Sequence, residues 1–188
     1  MPSDIILIGP VRTGKSTLAK LLAERLHLPR YSLDELRWDY YKEIGYDEDF
    51  AREIRQRGGL AAVVMYWKQF DAYSVERVLA EHRSCVIDFG AGASVYESDE
   101  LFARVQRVLA PYPNVVLVLP SAEVEESLVI LQERDTSALR GVNFFNTHFL
   151  KHHSNYDLAK FIVYTKGRTP EESCDEILNR VTLGPSSE

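Results

Sequence analysis

The segment from which the architecture of this chain is best predicted reads Gly9-Pro10-Val11-Arg12-Thr13-Gly14-Lys15-Ser16. It matches the pattern GxxxxGK followed by serine or threonine, in which successive backbone N–H groups surround the phosphates of a nucleotide. In such a loop the lysine ammonium reaches the β- and γ-phosphates, and the final hydroxyl group binds Mg²⁺. We therefore expect Lys15 and Ser16 to hold ATP and Mg²⁺, and Thr17 either starts the following helix or touches the α-phosphate.

The flanks of this segment are those that a phosphate-binding loop requires. Ile5-Ile6-Leu7-Ile8 is a short, mostly β-branched apolar run, which is typical of a buried parallel strand. Behind the loop, leucines recur at helical spacing, at positions 18, 21, 22 and 26. The order strand, glycine-rich loop, helix places backbone N–H groups at the start of a helix, where anions bind. This context distinguishes a phosphate-binding loop from a glycine turn beside a surface lysine.

The rest of the chain alternates strand and helix patterns. Further strands are predicted at 30–32, 85–88, 115–119 and 161–164. Helices are predicted over 33–44, 47–57, 60–82, 98–110 and around 145–150, with a break at Gly58-Gly59. Two more are predicted to begin at a cap, one at Ser121 and one at the capping box Thr169-Pro170-Glu171-Glu172. This alternation predicts an α/β fold, a doubly wound five-stranded parallel sheet with helices on both faces. We assign residues 1–183 to one domain and 184–188 to a flexible tail.

Composition narrows the class of protein. The chain has 188 residues, of which 45% are hydrophobic and 27% charged, values ordinary for one globular domain. Its net charge of −6 argues against a nucleic-acid surface, because phosphate backbones are bound by clustered lysine and arginine. Cys85 and Cys174 are too few for a disulfide framework or a zinc site, so we expect both to be reduced. No apolar run suits a membrane span or a signal peptide, and we expect a cytoplasmic protein.

Six segments follow one another along the chain: IILIGPVRTGKSTLAKLLAERL, YSLDEL, CVIDFGAGASVY, VVLVLP, LQERD and YTKGRTPEE. In this order they resemble the shikimate kinase family and related P-loop kinases of small metabolites. The first segment is shared by P-loop proteins in general, whereas YSLDEL and DFGAG in register behind it indicate these kinases. The resemblance implies transfer of a phosphoryl group from ATP, with Mg²⁺, to a small molecule. It also implies an acceptor-binding helical segment at about 34–82 and a lid at about 133–155.

The resemblance gives chemical roles to two carboxylates. In the family, a carboxylate just after the second strand binds the acceptor hydroxyl, and the matching residue is Asp34. Such a hydroxyl must be held in line with the γ-phosphorus and lose its proton. Asp88 closes a predicted buried strand in the manner of a Walker B carboxylate. We expect it either to help Ser16 bind the metal or to assist the acceptor. Ser32 stands where the family usually has a second aspartate. The alternatives are a helix N-terminal carboxylate for Asp34 and a turn former for Asp88.

Acceptor binding is also implied for a loop of small residues and for two lysines. The family's glycine-rich substrate loop aligns with Gly90-Ala91-Gly92, where small residues let backbone N–H groups approach a ligand. Two arginines of the family bind the carboxylate of the acceptor, and the matching positions fall near Lys68 and Lys151. Because lysine lacks the planar fork of arginine, shikimate itself is not the expected acceptor. The alternative for both lysines is an ordinary surface position.

Three arginines are expected beside the nucleotide. Arg134 and Arg140 lie in the irregular segment that matches the family's lid, where they would neutralise charge on the transferred phosphoryl group. Arg168, just before the last helix, matches the loop beside the adenine ring and is expected to stack on the base. The alternatives are solvated arginines at a helix end for Arg134 and Arg140, and an exposed arginine in a capping turn for Arg168.

Together these residues predict an ATP- and Mg²⁺-dependent kinase that phosphorylates a hydroxyl group of a small metabolite. A nucleoside or nucleotide kinase, which differs only in its acceptor, is one alternative. A nucleotide-dependent regulatory ATPase is another, with the acidic and aromatic segment 38–73 as the surface for a protein partner. We expect a monomer or homodimer that binds neither nucleic acid nor membrane. Acceptor-stimulated consumption of ATP would distinguish a kinase from a regulatory ATPase.

Overall fold

Five parallel strands form one sheet at the centre of the computed structural model, which describes residues 4–134 and 142–181, with side chains from residue 145 onward in the second range. The strands are β1 (Ile5–Ile8), β2 (Arg30–Ser32), β3 (Val86–Asp88), β4 (Val115–Leu119) and β5 (Phe161–Tyr164). Their order in the sheet is β2-β3-β1-β4-β5, and every neighbouring pair is parallel. The predicted doubly wound, five-stranded parallel sheet is confirmed.

Helices lie on both faces of this sheet. In the described part of the chain they are α1 (Lys15–Leu26), α2 (Leu33–Glu43), α3 (Glu48–Glu81), α4 (Asp99–Leu109), α5 (Val124–Glu133), α6 (Val142–Lys151), α7 (His153–Leu158) and α8 (Pro170–Arg180). None of the helices described is both long enough and apolar enough to cross a membrane.

Three local features of the helices can be compared with the predictions from the sequence. The break at Gly58-Gly59 is a kink inside α3, because Gly59 takes φ 73° and ψ −166° while helix continues on both sides. The predicted cap at Ser121 was wrong: α5 begins after Glu123, and the Ser121 hydroxyl instead accepts a hydrogen bond from the Glu123 N–H group. The capping box that starts α8 at Thr169 is present with both of its hydrogen bonds.

The residues of β1 separate two hydrophobic cores, because successive side chains of a strand point to opposite faces. Ile5 and Leu7 pack with apolar residues of α1 and α8 on one face. Ile6 and Ile8 pack on the other face with residues contributed by α2 through α7. All four β1 side chains have 0% exposure, which explains why the strand is apolar throughout.

The carboxyl ends of β1, β2 and β3 lie at the same edge of the sheet, which is where parallel α/β sheets bind ligands. The phosphate-binding loop leaves β1 there, α2 begins directly after β2, and the segment 89–92 follows β3. The loop passes close over β4: a Cβ atom on Gly9, which has φ 136°, would lie 2.6 Å from the carbonyl oxygen of Val118. Only glycine therefore allows this path.

Candidate active site

The phosphate-binding loop is held by its own polar groups. The Lys15 side chain lies over the loop, and its ammonium donates to the carbonyl oxygen of Pro10 at 2.7 Å. The Thr13 hydroxyl donates to the same oxygen at 3.2 Å. Burial lowers the pKa of Lys15, and the negative charges of Asp88 and Asp34 oppose that effect. The lysine that the sequence assigns to the phosphates thus stands between the loop and both predicted carboxylates.

The side-chain oxygens of Ser16 and Asp88, both expected to bind the metal, meet beside the loop. The Ser16 hydroxyl, at the start of α1, donates to Oδ2 of Asp88 at 2.5 Å. The other oxygen of Asp88 accepts the N–H group of Gly90 at 3.0 Å, which orders the turn after β3. Mg²⁺ binds few protein oxygens and keeps several waters, so one hydroxyl and one carboxylate beside a triphosphate suit it. Among the described residues, no group of three or more His, Cys, Asp or Glu side chains could hold another metal ion.

Asp34 lies in the first turn of α2 and faces the open edge of the sheet. Its side chain is 59% exposed, and Nη1 of Arg37 lies 3.3 Å from its Oδ1. Partial desolvation raises the pKa of Asp34, and the Arg37 charge opposes the rise. Gly90 permits this position of the carboxylate, because a Cβ atom there would lie 2.6 Å from both Asp34 oxygens. Gly90 also has φ 69°, which L-residues rarely adopt.

A cavity of about 350 Å³ brings these groups together. The predicted residues that line it are Val11, Arg12, Lys15, Ser16, Asp34, Asp88, Gly90, Ala91 and Gly92. It is also lined by residues that the sequence did not assign to the site, among them Arg37, Trp67, Asp71, Phe145 and Phe149. Arg37 follows Asp34 by one helical turn, and this spacing was the available signal. Asp71 and Trp67 lie within the predicted acceptor-binding segment 34–82, but nothing in the sequence singled out either residue.

Arg37 is enclosed by aromatic rings. Its guanidinium carbon lies 4.9 Å from the Trp38 ring centroid, 5.0 Å from that of Trp67 and 5.3 Å from that of Tyr41. Only 16% of the side chain is exposed. Its buried Nε atom has no hydrogen-bond partner within the described ranges. Cation–π contacts of this kind fix the guanidinium plane and leave its edge available for hydrogen bonds.

Neither of the two lysines expected to bind the acceptor is among the residues that line this cavity. Lys68 is buried, and its ammonium donates to the carbonyl oxygens of Gly92 at 2.9 Å and Val95 at 2.7 Å. It therefore supports the loop that follows β3 and is not the ordinary surface residue given as an alternative. The structure does not bring Lys151 to the cavity, because its side chain is 56% exposed and its ammonium lies 3.4 Å from Glu125 of α5.

A second cavity, of about 280 Å³, lies on the other side of the phosphate-binding loop. It is lined by Arg12, Thr13, Gly14, Thr17, Arg134, Thr165 and Arg168, among others. Arg12 and Arg134 are hydrogen-bonded to each other's backbone carbonyl oxygens, at 2.5 and 3.3 Å. Arg168 is ion-paired with Glu176 of α8. Arg140 lies outside the described residues.

Helix α6, in the segment expected to form the lid, reaches the phosphate-binding loop. The side-chain oxygen of Asn146 accepts the N–H group of Val11 at 3.0 Å. Phe145 and Phe149 of the same helix line the cavity that contains Asp34. The helix therefore joins the loop to the acceptor side of the cavity.

No protein-family model matches the chain. Among curated proteins, the shikimate kinase of Streptomyces coelicolor is 31% identical over 183 residues, which cover 95% of each chain. Similar solved structures include shikimate kinase from Acinetobacter baumannii in complex with shikimate (TM-score 0.62, 17% identity, 97% and 96% of the two chains). Shikimate kinase from Aquifex aeolicus (0.57, 22%, 94% of each) and a gluconokinase from Sinorhizobium meliloti (0.56, 13%, 95% and 90%) are further examples.

The solved structures support the fold, and the curated relative supports the family. The relative matches from the phosphate-binding loop to the last helix, so the similarity is not limited to the motif that many nucleotide-binding proteins share. This chain belongs to the shikimate kinase family of small-molecule phosphotransferases.

Proposed function

We propose that this protein uses ATP and Mg²⁺ to phosphorylate a hydroxyl group of a small metabolite other than shikimate. The observation that carries this proposal is the meeting of three groups in one cavity: the phosphate-binding loop, the Ser16–Asp88 pair and the Asp34 carboxylate. Phosphoryl transfer needs a donor, an acceptor and charge neutralisation held in one geometry, and little covalent help. A regulatory ATPase does not require an acceptor pocket with a carboxylate beside the γ-phosphate position.

On the donor side, the loop N–H groups and the Lys15 ammonium bind the triphosphate. Ser16 and Asp88 would hold Mg²⁺, which neutralises charge on the phosphates when it is bound. Lys15 is pre-positioned by its hydrogen bond to the carbonyl oxygen of Pro10, a neutral acceptor that a phosphate oxygen can replace. Arg134, which lines the second cavity of about 280 Å³, adds positive charge near the phosphates.

On the acceptor side, Asp34 accepts the proton of the attacking hydroxyl group. The carboxylate is fixed from two directions, by the Arg37 guanidinium and by contact with Gly90. Phe145 and Phe149 of α6 line the cavity, and their apolar rings would limit the access of water to the phosphoryl group. Positioning of the hydroxyl accounts for most of the rate enhancement, because a near-attack geometry replaces an encounter in solution.

The proposal is tested by ADP release in a screen of sugars, cyclitols, nucleosides and antibiotics, with the product checked for a new phosphate ester. Lys15→Ala should abolish turnover without loss of fold, whereas Lys20→Ala, on the exposed side of the same helix, should not. Asp34→Asn should lower kcat far more than it weakens ATP binding, with Asp39→Asn as the matched control on α2. Full activity of Lys15→Ala, or ATP hydrolysis that only a protein partner stimulates, would refute the proposal.

A further inference from the structure

We infer that the phosphoryl acceptor is an uncharged, polyhydroxylated ring of the sugar or cyclitol class, and not a hydroxy acid. The inference deepens the proposed kinase function and rests on it. It comes from the charges around the acceptor side of the cavity, which differ from what a carboxylate-bearing substrate requires.

Among the residues that the structure describes, each cation on the acceptor side has a carboxylate close to it. Nη1 of Arg37 lies 3.3 Å from Oδ1 of Asp34. Lys68 and Asp71 stand beside the same point of the loop after β3: a Cβ atom on Gly92 would lie 3.9 Å from the Lys68 ammonium and 3.5 Å from Oδ2 of Asp71. The Asp71 charge acts on Lys68 and opposes the lowering of its pKa by burial. Two cations and two carboxylates therefore balance.

The remaining charges do not favour an anion either. Asp88 adds a negative charge next to the Ser16 hydroxyl. Lys15 and Arg12 belong to the phosphate-binding loop, where the triphosphate of a bound nucleotide would occupy them. The Lys68 ammonium also donates to two backbone carbonyl oxygens, so it is not directed into the cavity. A carboxylate entering between Asp34 and Asp71 would lose its hydration without gaining an unmatched cation from the described residues, which is unfavourable.

Hydroxyl groups suit the same surroundings. Carboxylate oxygens of Asp34 and Asp71 accept hydrogen bonds, and the Tyr41 hydroxyl already orders Asp71 by donating to its Oδ1 at 2.5 Å. The Arg37 guanidinium has five N–H donors, and in the described structure its only hydrogen bond goes to Asp34. The Trp67 ring supplies an apolar surface on which the C–H face of a sugar ring packs.

The first test compares acceptors in matched pairs that differ in one charge: glucose with glucuronate, galactose with galacturonate, and shikimate methyl ester with shikimate. Binding is followed by tryptophan fluorescence, because the chain has two tryptophans and both rings lie within 5.0 Å of the Arg37 guanidinium carbon. Turnover is followed by ADP release. We expect the neutral member of each responding pair to bind at least tenfold more tightly.

The outcomes separate this inference from the kinase proposal. Three outcomes would overturn the inference: equal or tighter binding of the acids, a preference for glucosamine over glucose, or no response to any neutral compound. Phosphorylation of an acid would do so while leaving the kinase function intact. Neutral rings that bind but are never phosphorylated would count against the kinase proposal, and with it against their role as acceptors.

A charge-removal variant gives the second test. Asp71→Asn removes one of the two carboxylates that would repel an acid in the cavity, so the ratio of acid to neutral affinity should rise at least tenfold. Asp39→Asn makes the same change at an exposed site of α2, where the carboxylate pairs with Lys42, and should leave the ratio unchanged. The fold of each variant is checked by its melting curve. If Asp71→Asn folds and its ratio of acid to neutral affinity is unchanged, the inference is overturned. If that variant does not fold, the matched acceptor pairs measured with the wild-type protein decide.

Discussion

The change Gly90→Ala should remove most acceptor turnover while leaving ATP binding nearly intact. A Cβ atom on Gly90 would lie 2.6 Å from each carboxylate oxygen of Asp34, whereas ordinary contacts begin at 3.4 Å. The carboxylate must therefore retreat by roughly 0.8 Å, a displacement of the size that costs on the order of 100-fold in rate when it affects a reacting group. The Asp34 side chain is 59% exposed, so it has room to move without disturbing the core.

The effect on stability should be small by comparison. Alanine at φ 69° costs about 1–2 kcal/mol of backbone strain. For a chain of this size, that corresponds to a decrease of roughly 2–8 °C in melting temperature. Loss of activity at 25 °C in a folded protein would then report the displaced carboxylate and not unfolding.

The assay is steady-state ADP release with the acceptor found by the screen, together with calorimetric titration of ATP. Gly92→Ala is the matched control, because a Cβ atom there would meet Asp71 and Lys68 only at 3.5 and 3.9 Å. We expect about 100-fold lower kcat/KM for the acceptor in Gly90→Ala and less than about threefold in Gly92→Ala. Near-normal activity of Gly90→Ala, or equal losses in both variants, would show that contact with Gly90 does not set the position of Asp34.

The remaining predictions concern individual charged side chains. Lys68→Met removes the donor to the carbonyl oxygens of Gly92 and Val95, so the acceptor KM should rise and unfolding should cost about 1–3 kcal/mol less, seen in denaturant melts. Lys151→Met should change stability by less than about 0.5 kcal/mol and leave KM unchanged; a larger KM effect would return Lys151 to the site. Because desolvation raises the pKa of Asp34, kcat/KM should fall on acidification at a higher pH than for an exposed aspartate. Arg37→Gln removes the opposing charge and should move that fall to still higher pH; an unmoved profile would contradict the assignment of the base.

Local sequence was sufficient for the donor half of the site. The residues of the phosphate-binding loop are consecutive, from Gly9 to Ser16, and the adjoining strand and helix have short-range periodicities. The capping box at Thr169 was predictable for the same reason, since both of its hydrogen bonds join residues three apart. By contrast, the start of α5 was misplaced because Ser121 forms a turn that local residue preferences do not distinguish from a cap.

The acceptor half depended on packing between distant segments. Asp34 and Arg37 lie one helical turn apart on α2, but Asp71 comes from α3 and Gly90 from the turn after β3, so no local pattern relates these three segments. A lysine such as Lys68 is predicted to be exposed unless buried partners are known, and its partners are carbonyl oxygens more than twenty residues away. Consecutive residues therefore predict a phosphate-binding loop, because the backbone geometry of that loop is local in sequence. Which acceptor is phosphorylated depends on how charges from separate helices pair once they are packed together.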